Sequence, residues 1–221
     1  MAARASRPVP PRRRGTSALL ACGAVAAPLF LAVVLVEGAL RPDYQTSRHL
    51  ASALSIGDRG WVQIGNFVLT GLMMCAFAVG VRRAIGGGRG GRWAPILIGA
   101  YGLGLVASGL FVSDPVNGYP PGATADTWHG TAHDLAAVVV FGALPLGCLV
   151  LARRFASRRG ERRWAVYSVV TALAVPALLF GVTVEDRAGL FQRATIAVGW
   201  AWIALVALHL RAELRRTRQR G

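Results

Sequence analysis

Six apolar stretches, parted by loops that alternate between arginine-rich and arginine-poor, limit what this 221-residue chain can become. They run Gly15 to Val36, Gly60 to Val81, Trp93 to Ser113, Leu135 to Ala152, Trp164 to Val184 and, shorter, Ala194 to Leu208. A hydrocarbon core about 30 Å thick takes roughly 20 mostly apolar residues per helix. Lipid gives the backbone no hydrogen bonds, so such runs must be helices rather than open strands. The alternation of a membrane barrel is missing. With 54% hydrophobic and 16% charged residues, the composition is also far from that of an ordinary soluble domain. The expected fold is all-α, one domain at 16–211 with transmembrane helices at about 16–38, 61–83, 93–113, 129–152, 164–184 and 190–211. Residues 1–15 read as a disordered basic arm, with Pro8, Pro10 and Pro11 opposing helix. Residues 212–221 read as a basic tail that carries the last helix into water, where arginine suits the helix C-terminus.

All 25 basic residues are arginine, and the formal charge is +15. Taken alone, that charge suggests nucleic acid. Its distribution points elsewhere. Twenty arginines lie before helix 1, between helices 2 and 3, between helices 4 and 5, and after helix 6. The other side holds only Arg41, Arg48, Arg59, Arg187 and Arg193. Arginine-rich short loops stay in the cytoplasm. The expectation is a multi-pass plasma-membrane protein with both termini cytoplasmic and arginines against anionic membrane lipids. No nucleic-acid partner is expected, since no such motif is present. The basic start and apolar run are laid out like a signal peptide, but the run is long and further spans follow, so it reads as an uncleaved first helix.

Small residues at i, i+4 spacing mark where helices come close: Gly23 and Ala27, then Ala100, Gly104 and Ser108, then Ala143 and Gly147. Packing within the chain is favoured over dimerisation. Pro145 and Pro176 are expected to kink helices 4 and 5. Cys22, Cys75 and Cys148 fall inside helices without metal or disulfide spacing and read as packing residues. The loop from Gly86 to Gly91 lacks the Gly-Lys-Ser/Thr ending of a phosphate-binding loop.

The extracytoplasmic end carries most of the other polar chemistry. Its first loop holds Asp43, Tyr44, His49, Ser52, Ser55 and Asp58 and leads to Gln63 and Asn66. The second carries Asp114 and enters helix 4 through Asp126, His129, His133 and Asp134; the third leads to Gln192 and Arg193. His129 and His133 share a helix face at i, i+4, a spacing that can place two imidazoles on one metal. His49 and Asp114 would complete a tetrahedral set, and imidazole with carboxylate suits zinc or iron. The alternative is interfacial histidines bonded to loop backbone, and the glutamate of the zincin pattern is absent. Asp134 and Arg193 lie about one turn inside helices 4 and 6, where an isolated charge is costly, so a pair between them is expected. Snorkelling to the interface is the other solution. Ser52 and Ser55 are either nucleophiles beside a histidine or helix caps. His209, at the inner end of helix 6, lacks the second inner histidine that a membrane haem would need.

Taken together, several segments resemble one known family. They are His49 to Gly57, Gly60 to Ile64, Asn66-Phe67, Gly109 to Pro115, Gly118 to Gly122, His133-Asp134, Ala188 to Arg193, and the last helix with Trp200 and Trp202. This set resembles the bacterial and archaeal membrane family known as domain of unknown function 998, over roughly residues 20–210. The all-arginine, alanine-rich style is similar to that of actinobacterial proteins. The resemblance implies a polytopic plasma-membrane protein and brings no reaction with it. It favours His133, Asp134, Gln192 and Arg193 as pattern residues, with His129 an extra.

Two functions follow as expectations. One is a binding protein whose outer polar cluster (His49, Ser52, Gln63, Asn66, Asp114, His133, Asp134, Gln192 and Arg193) takes a lipid headgroup, a small ligand or a partner. The other is a metal-dependent hydrolase acting on outer-leaflet lipid. Its ligands would be drawn from His49, Asp114, His129 and His133, and a bound metal would activate water. A transporter is a weaker third reading, because inverted repeats and broken midplane helices are missing.

Overall fold

In lipid an apolar run of this length is stable as a helix whose backbone groups bond within the segment. The computed structural model describes residues 11–220, with side chains for all of them except 11–14, 185 and 218–220. Six long helices are present: α1 (Pro11–Leu40), α2 (Gly60–Ile85), α3 (Trp93–Leu110), α4 (Trp128–Ala156), α5 (Arg162–Phe180) and α6 (Ala188–Arg220). All six are long and apolar enough to cross a membrane. The shortest, α3, has 18 residues, a rise of about 27 Å, close to the thickness of a bilayer core. Among the described residues there is no strand, only a single bridge between Val116 and Tyr119.

Consecutive helices pack side by side, and α6 closes the ring against α1. The contacts are antiparallel. Near the start of α1, Leu20 lies against Gly80 late in α2, while Gly23 faces Phe77. The closest approach is between α2 and α3. A Cβ added to Gly71 would lie 2.7 Å from the Gly102 carbonyl oxygen, and one added to Gly102 would lie 2.8 Å from the Gly71 oxygen. Only glycine lets these backbones touch. The small residues of α3 and α4 also serve contacts within the chain: Gly104 meets Val140, and Gly147 approaches Leu97. Leu35, Leu103, Val138, Leu173 and Phe180 are exposed, the side left for lipid tails. Inside, Phe30 stacks on Trp200 with ring centroids 5.2 Å apart, and Trp202 donates its indole N–H to Ser168 Oγ at 3.0 Å. Cys22, Cys75 and Cys148 are free thiols.

Both ends of the helical region lie on one side, here the basic face, where Thr16, Arg83, Arg154 and Leu210 line a single cavity. The opposite side, the loop face, carries residues 41–59, 111–127 and 181–187. Several boundaries differ from those read in the sequence. Helix α1 starts at Pro11, so residues 11–15 are helical rather than a disordered arm; proline at a first helical position has no N–H to lose. Residues 1–10 lie outside the described residues. Helix α3 stops at Leu110 rather than 113, because the His133 ring binds the carbonyls of Ser108 and Phe111, where the chain leaves the helix. Helix α5 stops at Phe180 and passes into a 3-10 turn, Gly181–Thr183. Another 3-10 turn, Ala51–Ser55, lies in the first loop. Neither Ser52 nor Ser55 caps that turn: Leu50 is the N-cap, and Ser55 Oγ donates to the Ser52 carbonyl at 2.7 Å.

Candidate functional site

The first loop is held onto the start of α6, and this clamp uses most of the segment Ala188 to Arg193. The backbone N–H groups of Gly189 and Leu190 donate to the carbonyls of Arg48 (3.1 Å) and Ser47 (2.9 Å). Gly189 must be glycine, since an added Cβ would lie 2.5 Å from the His49 oxygen and 2.6 Å from the Thr46 oxygen. Gln192 Oε1 accepts the Ala51 N–H at 2.7 Å. Arg193 Nη1 donates to the carbonyls of His49 (2.9 Å) and Gly189 (3.0 Å), and its Nη2 donates to the Tyr44 hydroxyl. The Tyr44 hydroxyl donates in turn to the Leu50 carbonyl at 2.9 Å.

Arg193 therefore does not pair with Asp134. Among the described residues Asp134 takes part in no ion pair, and it is exposed on α4. Backbone carbonyls and a phenol take the Nη1 and Nη2 donors of Arg193, which leaves only the buried Nε without a partner, so most of the cost of a charge at this depth is met without a carboxylate.

The proposed metal ligands occupy separate settings. His49 is buried; its Nδ1 accepts the Gln45 N–H at 2.9 Å, and its ring lies 5.1 Å from that of Tyr119. Burial first, then Arg48 and Arg193, hold its pKa below the ordinary value of 6.5. Asp114 accepts the Thr127 N–H and hydroxyl, each at 2.8 Å, and Thr127 Oγ1 caps α4 by accepting the Gly130 N–H. His129 is exposed and lies against Trp128, with ring centroids 3.6 Å apart and planes tilted by 34°. His133 is buried one turn further on, with its Nδ1 between two carbonyls. These four do not converge. Among the described residues the metal-type groups that do gather are Glu161, His209 and Glu213, at the basic face, with ligand atoms within 4.8 Å of one another. The Arg158 guanidinium already contacts both of those carboxylates, at 3.4 and 3.0 Å.

Gln63 and Asn66 form a buried pair on α2, with Asn66 Nδ2 donating to Gln63 Oε1 and to the Phe30 carbonyl, both at 3.3 Å. They do not line the cavity described next. Their spacing cannot reveal that they face α1.

What the loop-face residues do assemble is a cavity of about 110 Å³ between the first loop, α3, α4 and α6. Phe30, Tyr101, Leu144 and Trp200 form its apolar lower wall, and Ser52, Ser108, His133, Asp134, Gln192 and Thr195 supply its polar groups. On one side it lies between α4 and α6, which meet below it where a Cβ on Gly199 would come within 2.5 Å of Leu144. The polarity of the His133 ring follows from its partners. Two carbonyls at 3.1 and 2.8 Å require Nδ1 to carry the proton, so Nε2 of the neutral ring is an acceptor. The Gln192 oxygen is taken by the Ala51 N–H, which leaves its amide NH2 as a donor.

Sequence reasoning missed Glu37, a buried carboxylate bridging Arg41 (3.5 Å) and Arg59 (2.5 Å). The signal was present: Arg41 follows it at i+4, and the glutamate ends an apolar run. Tyr119, buried against Tyr44 and His49, left no such signal.

The molecule is thus a multi-pass, all-helical membrane protein with a mixed cavity near its loop face. Residues 24–209 match the family described as protein of unknown function (DUF998), and the chain belongs to that family. No curated protein and no solved structure matches it.

Proposed function

We propose that this protein binds an amphiphile through the loop-face cavity, with the loop face extracytoplasmic, the basic face cytoplasmic and the host bilayer the plasma membrane. The orientation rests on the arginine asymmetry. The binding reading rests on one observation: the His133 acceptor, the Gln192 donor and the Asp134 carboxylate edge a cavity whose lower wall is aromatic and aliphatic. Ligand sites are mostly apolar with a few placed polar groups. A ligand with hydroxyl or ammonium donors on its head and a hydrocarbon body fits both parts, and its route in is from lipid, between α4 and α6. Metal-dependent hydrolysis of outer-leaflet lipid is the less supported reading, because His49, Asp114 and His129 do not line this cavity and instead contact loop backbone or a neighbouring ring.

Crosslinking in nanodiscs with a photoactivatable fatty alcohol or fatty amine tests the proposal. Labels should map to α4 and α6 around Ala137 and Ile196 and be lost in Ala137→Phe, which fills the cavity. Labelling spread evenly over the exposed leucines, and unchanged by Ala137→Phe, would overturn it.

A further inference from the structure

A second cavity, of about 610 Å³, lies at the basic face between the ends of α1, α2, α4 and α6. Three guanidiniums line it, those of Arg83, Arg154 and Arg158, with one carboxylate, Glu213. Arg158 is bound to that carboxylate at 3.0 Å. Arg83 and Arg154 have no carboxylate within ion-pair distance among the described residues, and residues 1–10 and 221 add no acidic side chain. Arg83 is exposed, as a loop arginine that meets lipid headgroups would be. Arg154 is different. It is only 8% exposed, donates Nη1 to the Arg89 carbonyl at 3.0 Å, and keeps Nε buried without a partner. A guanidinium has five N–H donors in a fixed fork, and a buried one that no carboxylate touches is costly; Glu213 and Glu161 act on Arg154 only from beyond contact distance.

We infer that this cavity is a binding site for a phosphate group, with Arg154 as its buried anchor and Arg83 as its outer contact. Arginine forks match phosphate oxygens bidentately. The phosphate has two sources, the headgroup of an anionic lipid or a free phosphate. The site is independent of the loop-face cavity, so either proposal can fail without the other.

The test uses the full chain with two probes: inorganic phosphate at millimolar concentration, followed by thermal shift, and nanodiscs mixing phosphatidylglycerol with phosphatidylcholine, followed by native mass spectrometry of retained lipid. Arg154→Gln removes the buried donors together with the Arg89 contact. Arg83→Gln changes an exposed side chain, so the test stands even if the first variant folds poorly. Phosphate binding that weakens about tenfold in Arg154→Gln and severalfold in Arg83→Gln supports the site with free phosphate as ligand. Selective retention of phosphatidylglycerol that both variants reduce supports it with lipid as ligand. No phosphate effect, with retention equal in wild type and Arg83→Gln, overturns it.

Discussion

At the scale of single residues, the loop-face groups divide into those that hold the chain and those that face the cavity. Gly189 belongs to the first kind. Gly189→Ala would press a methyl group into two carbonyl oxygens, and overpacking of this kind costs about 1–3 kcal/mol. Gly142→Ala, where an added Cβ meets nothing within 4 Å, should instead gain roughly 0.5–1 kcal/mol from helix propensity. Unfolding in mild detergent would compare the two; equal melting temperatures would refute the clamp. The Asp134–Arg193 expectation also resolves here. A double-mutant cycle should show near-zero coupling between them, with Arg193→Ala destabilising and Asp134→Ala close to neutral. A large coupling energy would contradict the partners described for Arg193. His49 sets a pH response. Its folded pKa lies below 6.5, so the folded state takes up a proton less readily than the unfolded chain. The stability involved is present above about pH 6.5 and is lost as pH falls below it. Acidification below about pH 6.5 should lower the melting temperature of the wild type relative to that of His49→Gln.

At the scale of elements, Asp114 and Thr127 decide where α4 begins. Thr127→Ala should cost about 1 kcal/mol, the usual worth of an N-cap, and hydrogen exchange should rise in the first turn of α4 near Gly130. Unchanged exchange there would show that the cap carries no weight. The helices themselves were legible in the sequence, because hydrophobic length is a one-dimensional property and lipid permits few alternatives. Small residues likewise announced close packing. The site was legible only as a list of residues. His133, Asp134 and Gln192 were identified, yet their cavity was not, since Phe30, Tyr101 and Trp200 look like any other core aromatics until the bundle closes around them. His129 and Asp114 misled because periodicity reports a shared face or a shared depth, and neither shows which way a neighbouring loop will turn.

For the molecule as a whole, the two faces should respond to pH in opposite senses. Glu161, beside Arg158 and Glu213, has its pKa pushed up to about 7 by burial first and by Glu213 second. Its unfolded value is 4.5, so its contribution to stability is complete below pH 4.5 and is lost as pH rises through about 7. Glu161→Gln should flatten the loss of stability as pH rises from about 4.5 to about 7, while His49→Gln should flatten the opposing loss on acidification below about 6.5. If each variant leaves its own limb of the profile unchanged, these two groups do not set it.

The clamp between the first loop and the start of α6 also bears on biosynthesis. The loop emerges from the ribosome long before the residues that hold it, with four further spans made in between. Until Gly189, Leu190 and Arg193 arrive, the carbonyls of Arg48, Ser47 and His49 must find water or the insertion machinery instead. A chain that terminates before its sixth span would be threaded five times through the bilayer and would have no cavity. Such a product would be recognised as an orphan by membrane quality control.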